Sequence, residues 1–274
     1  MNEFIALLLM PFVLRSLLAG IAVSISMSLL GTFLVLKRFS LIGDGLAHVS
    51  FLAVALSLFL NETTPLISMV ILIVASVLIM KLNESGQAFG DASIGMIGAF
   101  SIALGTIVVQ YITNQYVNLE NYLFGEIFLV RDIDLLLAWI IAITVLTATV
   151  LFYRPLFALT YDEDFAKVRK IKVKVLQYGL AVLTALAIYV GIRVVGTLLI
   201  SSLIIFPTVT AMQWNRSFKG TLISAVFVSL VNVMVGFIIA MVMAWPAGST
   251  MVVISGLTLL CVYLIKFVQV RLKS

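Results

Sequence analysis

The sequence predicts an all-α integral membrane protein, a polytopic helical bundle of about eight or nine transmembrane helices. Three observations predict it. Hydrophobic residues make up 63% of the 274 and charged residues only 11%, against roughly 45–50% and about 25% in soluble domains. Apolar runs of spanning length, about 17–25 residues, recur from one end of the chain to the other, and the mean hydropathy is +1.23. Finally, the basic residues fall in alternate loops. No polar stretch is long enough for a sizeable soluble domain, so residues 1–274 read as a single transmembrane domain in a cell membrane. The formal charge of +5 belongs to loops at a membrane surface. The partner this implies is the lipid bilayer, and nucleic acid is not expected.

Residues 1–15 read as an interfacial lead-in, closed by Pro11 and Arg15. The apolar start lacks a basic n-region, so no cleavable signal peptide is expected. Spans follow near 16–36, 41–60, 65–80, 92–112, 133–153, 175–191, 194–212, 221–244 and 250–267. The third and sixth are short, so one of them is a candidate to dip in without crossing. Alternating sides places all but three of the 17 basic residues on one side, the exceptions being Arg15, Arg131 and Arg193. Basic residues stay on the cytoplasmic side. Nine crossings then put the N-terminus outside and the C-terminus inside.

Two connections exceed a tight turn. The outer one, 113–132, carries Tyr116, Tyr122, Phe124 and Phe128 among Glu120, Glu126 and Asp132, which suits a helix lying at the interface. The inner one, 154–174, carries Asp162, Glu163 and Asp164 ahead of Lys167, Arg169, Lys170 and Lys172, with Phe165, Ala166 and Val168 between. Acids at its start and bases at its end suit the helix dipole, so a short amphipathic helix is expected. Spacing leaves open whether it is a solvated segment near anionic lipid or a docking helix for a soluble partner.

The second span contains Asp44 and the single histidine, His48. Four residues apart on a helix, their Cβ atoms lie about 5–6 Å apart on one face. A carboxylate and an imidazole can share one cation through bonds of roughly 2.0–2.2 Å, and the imidazole favours Zn²⁺, Mn²⁺ or Fe²⁺ over Mg²⁺ or Ca²⁺. The bland alternative is that Asp44 caps its helix and His48 hydrogen-bonds one turn in. Ionisable groups within a membrane segment are functional candidates by default. No acid follows Asp164, which leaves Asp44 as the chief oxygen ligand for a crossing cation, ahead of Asp91 and Glu126. Gly43 and Gly45 allow close backbone approach or a helix break. Two ligands are too few for a tight tetrahedral site, and a symmetric dimer would supply four.

Other features read as structural. Arg193 suits a snorkelling anchor, and Cys261 a buried packing thiol. Pro207 should free carbonyls that Ser202, Thr208 and Thr210 can meet. The Ser24/Ser28 pair suits close helix contact. The eleven methionines show no repeated spacing. The sequence contains no Gly-x-x-x-x-Gly-Lys-Ser/Thr loop and no His-Glu-x-x-His pair, so it is not expected to be an enzyme.

Residues 36–50, Leu-Lys-Arg-Phe-Ser-Leu-Ile-Gly-Asp-Gly-Leu-Ala-His-Val-Ser, resemble a signature of the metal-uptake ABC permeases of the zinc/manganese/iron type. So do Tyr122–Glu126, Asp162–Ile171, Val195–Pro207 and Trp245–Gly248, collinear over nearly the whole chain, and the zinc-type permeases are the most similar. The resemblance implies a permease subunit importing divalent metal, zinc first and manganese or iron next, with no stably bound cofactor. It implies three protein partners: a separate cytoplasmic ATPase, an extracellular metal-binding protein and a second permease subunit, in a homodimer. It places Asp44 and His48 in the metal pathway, and makes Asp162, Glu163, Asp164, Phe165, Ala166, Val168 and Arg169 the helix that couples to the ATPase. Two positions depart from the family pattern: Ala244 stands where many members have an acid, and Ala99 or a neighbour where zinc-type members often have a second histidine. The rival functions are a proton-coupled secondary transporter and a non-transporting membrane scaffold.

Overall fold

A computed structural model describes residues 10–60, 66–84, 90–112, 130–215 and 217–271. The described residues form helices and no strands. In chain order these are α1 (Pro11–Leu36), α2 (Ile42–Phe59), α3 (Leu66–Glu84), α4 (Gly90–Gln110), α5 (Asp132–Leu151) and α6 (Tyr153–Tyr161). They continue with α7 (Glu163–Val168), α8 (Val173–Val195), α9 (Thr197–Met212), α10 (Phe218–Met243) and α11 (Ala247–Arg271). The aromatic outer segment expected at 113–129 lies outside the described residues, and so does Arg216.

All nine expected spans are helices. Eight of the described helices are long and apolar enough to cross a membrane. The short one differs from expectation. α3 and α8 are full-length, with 19 and 23 residues, whereas α9 has 16, or about 24 Å at 1.5 Å per residue. The cause is Gly196, whose φ of 82° ends α8 and lets α9 start at the next residue. Only glycine adopts that backbone region without a Cβ penalty. α1 starts at Pro11, so the expected lead-in belongs partly to the first helix. A proline there loses no helical hydrogen bond, since first-turn amides have no partner in the helix.

α1 is the axle of the bundle. It packs against α5, α8, α9 and α10 and is the most buried span. Small residues allow this: Ser28 donates to the Ser24 carbonyl (2.7 Å), and Ser229 of α10 reaches that same carbonyl (3.3 Å). The Ser24/Ser28 pair thus marks a close helix contact, as expected. At the opposite extreme, α11 is the least buried span. Cys261 lies on its outward face and is exposed, which corrects the expectation of a buried thiol. A peripheral helix packs one face and turns the other to lipid.

Two more expectations are corrected. Arg193 is an ion-pair partner and not a free anchor: its Nε lies 2.9 Å from Asp134 Oδ1, and it donates to the Tyr189 hydroxyl at 2.8 Å. Within α9, Ser202 donates to the Leu199 carbonyl (2.8 Å). Thr208 and Thr210, however, have buried hydroxyls without a partner, so they do not meet carbonyls freed by Pro207.

Ion pairs sort the helix ends onto two sides. At one end Arg15 meets Asp132 (3.0 Å), and Asp134 meets both Arg131 (3.1 Å) and Arg193. These are the three basic residues that break the charge rule, and each has an acid beside it. At the other end Lys37 meets Glu163 (3.6 Å) and Lys266 donates to Gln213 (3.2 Å), joining loops assigned to the cytoplasm.

Candidate functional site

α2 is buried along most of its length, but one stripe stays open. Asp44 and His48 lie on it, their side chains 62% and 40% exposed, with Asp44 Oδ2 3.5 Å from His48 Nε2. That separation is a close electrostatic contact, longer than a normal hydrogen bond. Asp44 is not a cap: Leu41 holds the N-cap position, with no side-chain cap hydrogen bond. The capping hydrogen bond is therefore absent, while Asp44 stays in the first turn of α2, where an acid suits the helix dipole.

Glycines set the walls of the site. α2 is continuous through Gly43 and Gly45, so they serve close approach and not a break. A Cβ at Gly45 would overlap Ile94 Cγ2 of α4, and one at Gly43 would lie 2.8 Å from Ile204 Cδ1 of α9. A Cβ at Gly98 would lie 3.2 Å from His48 Cδ2, and one at Gly105 would lie 2.8 Å from Phe51 Cδ1. The contacts climb both helices in the same sense, so α2 and α4 run parallel and interlock. Gly98 is a site residue that sequence reading missed; the nearest signal was its place among the small residues Gly95, Ala99 and Ala103. Asp91, the second candidate acid, is exposed at the start of α4, and Glu126 lies outside the described residues. Among the described residues no group of three or more His, Cys, Asp or Glu is arranged to hold a metal ion. One chain thus offers a pair of ligands at this position.

The predicted cytoplasmic helix divides into two faces. Asp162 is the N-cap of α7 and accepts from the Phe165 amide (2.9 Å). Glu163 turns inward, accepting from Gln177 (2.7 Å) and pairing with Lys37 and Lys167 (3.3 Å). Ala166 is fully buried. Asp164, Phe165, Val168 and Arg169 face outward, with the Arg169 guanidinium 5.1 Å from the Phe165 ring centre. Glu163 and Ala166 therefore anchor the helix, while the other four form its free surface. Burial lowers the pKa of Lys37, with Glu163 opposing that shift. Hydrogen bonds to Asp164 and Glu163 raise that of Lys167.

A bundle of this kind, with a paired carboxylate and imidazole on an open helix stripe, has clear relatives. The family model described as the ABC 3 transport family matches residues 9–266. The chain belongs to this family. It is a permease, a multi-pass protein of the cell membrane. It is 33% identical to the high-affinity zinc uptake system membrane protein ZnuB of Haemophilus influenzae, over 88% of this chain and 92% of that one. It is 29% identical to the manganese import system permease protein ScaB of Streptococcus parasanguinis, over 93% and 90%. Among solved structures, PsaBC from Streptococcus pneumoniae in complex with Fab matches with a TM-score of 0.86 at 27% identity, covering 100% of this chain and 99% of that one. This excludes the scaffold and secondary-transporter readings.

Proposed function

We propose that this chain is the membrane subunit of an ATP-driven importer of divalent transition metals, zinc first and manganese or iron next. The observation that carries the proposal is the Asp44–His48 pair, open on α2, in a chain whose relatives are zinc and manganese permeases. The carboxylate supplies charge and a hard oxygen, and the imidazole a borderline-soft nitrogen suited to late first-row cations.

The site is completed by a second copy of the chain. Gly95, Ala99 and Ala103 form an exposed small-residue stripe on α4, one turn apart, beside the pair. A Cβ at Gly95 would meet nothing within 4 Å. Such stripes let membrane helices approach closely, and a two-fold axis there brings two Asp44 and two His48 together. An extracellular metal-binding protein delivers the cation, and a cytoplasmic ATPase docks on Asp164, Phe165, Val168 and Arg169, with Asp162, Glu163 and Ala166 fixing that helix.

Uptake of radioactive zinc and manganese by cells carrying Asp44→Ala or His48→Ala tests the assignment. Both variants should lose most uptake at wild-type membrane abundance. Unchanged uptake in both would remove the site.

A further inference from the structure

Resting on the importer reading, we propose that Lys37 is a positioning residue for the metal pair. Its ion pair with Glu163 carries a displacement of α7 by the ATPase into the α1–α2 turn, and through that turn to Asp44.

Lys37 stands where α1 ends. It is the C-cap of that helix, seven residues before Asp44. Its side chain is only 14% exposed, and its Nζ lies 3.6 Å from Glu163 Oε2. Lysine is seldom held this deep unless it is paired. α7 itself packs against α6 and α8, and Glu163 extends it to the end of α1. Because the stem of Lys37 is packed, the side chain has little room to absorb a shift by changing rotamer.

The turn beyond Lys37 has little slack. The Phe39 amide donates to the Leu34 carbonyl (2.9 Å), and the Arg38 amide to the Val35 carbonyl (3.1 Å). This pattern is a Schellman motif, whose residue after the cap is left-handed and usually glycine. Arg38 takes that position with a φ of 62°. Phe39 is buried, and its carbonyl accepts from the Ile42 amide (3.2 Å), the first residue of α2. A shift at Lys37 therefore reaches the first turn of α2, which carries Asp44.

The other contacts of Glu163 have a separate role. It accepts from Gln177 of α8 (2.7 Å) and pairs with Lys167 of its own helix (3.3 Å). Those two keep α7 seated without Lys37. Lys37→Met thus cuts the tie to the turn and leaves no cation stranded. Glu163→Gln cuts it from the other side, with an amide oxygen still able to accept from Gln177.

Radioactive-zinc uptake by cells, set beside ATP hydrolysis by the complex isolated on a tagged full chain, tests this. Lys37→Met should lower uptake about tenfold at wild-type membrane abundance, while hydrolysis per complex stays within about twofold. Glu163→Gln should lose uptake in the same way. Lys37→Met/Glu163→Gln should lose no more than Lys37→Met alone, because partners in one pair do not act additively. Three results overturn the proposal: Lys37→Met uptake within about twofold of wild type, hydrolysis that falls together with uptake, or a double variant whose loss is the product of the two single losses. A wild-type complex without ATP hydrolysis would instead remove the importer reading, and this link with it.

Discussion

Asp134 Oδ1 lies 2.9 Å from Arg193 Nε, with the acid side chain only 7% exposed. This pair joins the start of α5 to the end of α8 and leaves Arg193 with a partner in a segment where a lone charge is costly. Removing one partner of a buried pair leaves the other uncompensated, at a cost of about 3–5 kcal/mol. Arg193 is 29% exposed, which places the loss at the lower end. Asp134→Asn should therefore lower the thermal midpoint in detergent, while Asp134→Leu/Arg193→Met should recover much of it. A single variant as stable as wild type would show that the pair does not hold the helices.

Gly45 makes a sharper functional prediction. A Cβ there overlaps the tip of a side chain, Ile94 Cγ2, and not backbone. Gly45→Ala should push α2 from α4, displace His48 and reduce uptake. Ile94→Ala added to it should restore part of that loss. Gly179→Ala on α8, with nothing within 4 Å of the added Cβ, is the stability control. Absence of rescue in the double variant would indicate that Gly45 acts otherwise.

The two faces of α7 predict opposite phenotypes. Phe165→Ala and Val168→Ala alter exposed side chains, so stability should change by no more than about 0.5 kcal/mol while transport falls. Ala166→Leu overfills a buried position and should cost about 1–3 kcal/mol. Thermal melts beside ATP-dependent uptake separate the two. Full transport in Phe165→Ala/Val168→Ala would remove the docking surface.

Much of the site was legible because local spacing sufficed. Asp44 and His48 share a stripe through helical periodicity alone, and the burst of acids from Asp162 gave the start of α7. What was hidden depends on packing. Gly98 lies 50 residues from His48, and nothing local marks their contact. Arg193 looked like an anchor because its acid, Asp134, is 59 residues away and reads as a span end. The short helix was misplaced because hydropathy carries no sign of the backbone turn at Gly196.

Lys37 supplies a pH test. Burial holds its pKa below 10.5, so the folded chain releases the proton before the unfolded chain does. In this window the unfolded state binds more protons, and stability rises with pH. The difference in thermal midpoint between wild type and Lys37→Met should therefore move in favour of wild type from the folded pKa of Lys37 up to 10.5. Lys167, whose pKa is raised, shares Glu163 with Lys37, so the same comparison in a Lys167→Met background isolates the Lys37 contribution. A flat difference would contradict the buried cation.

The interlocked glycines have a kinematic consequence. Ile94 fills the space that Gly45 leaves, and His48 rests on Gly98, so α2 cannot slide or roll alone. Any stroke that turns Asp44 from one side of the membrane to the other carries α4 as cargo. The pair then moves as one unit, tied to α1 through a turn in which Arg38 holds a φ of 62°.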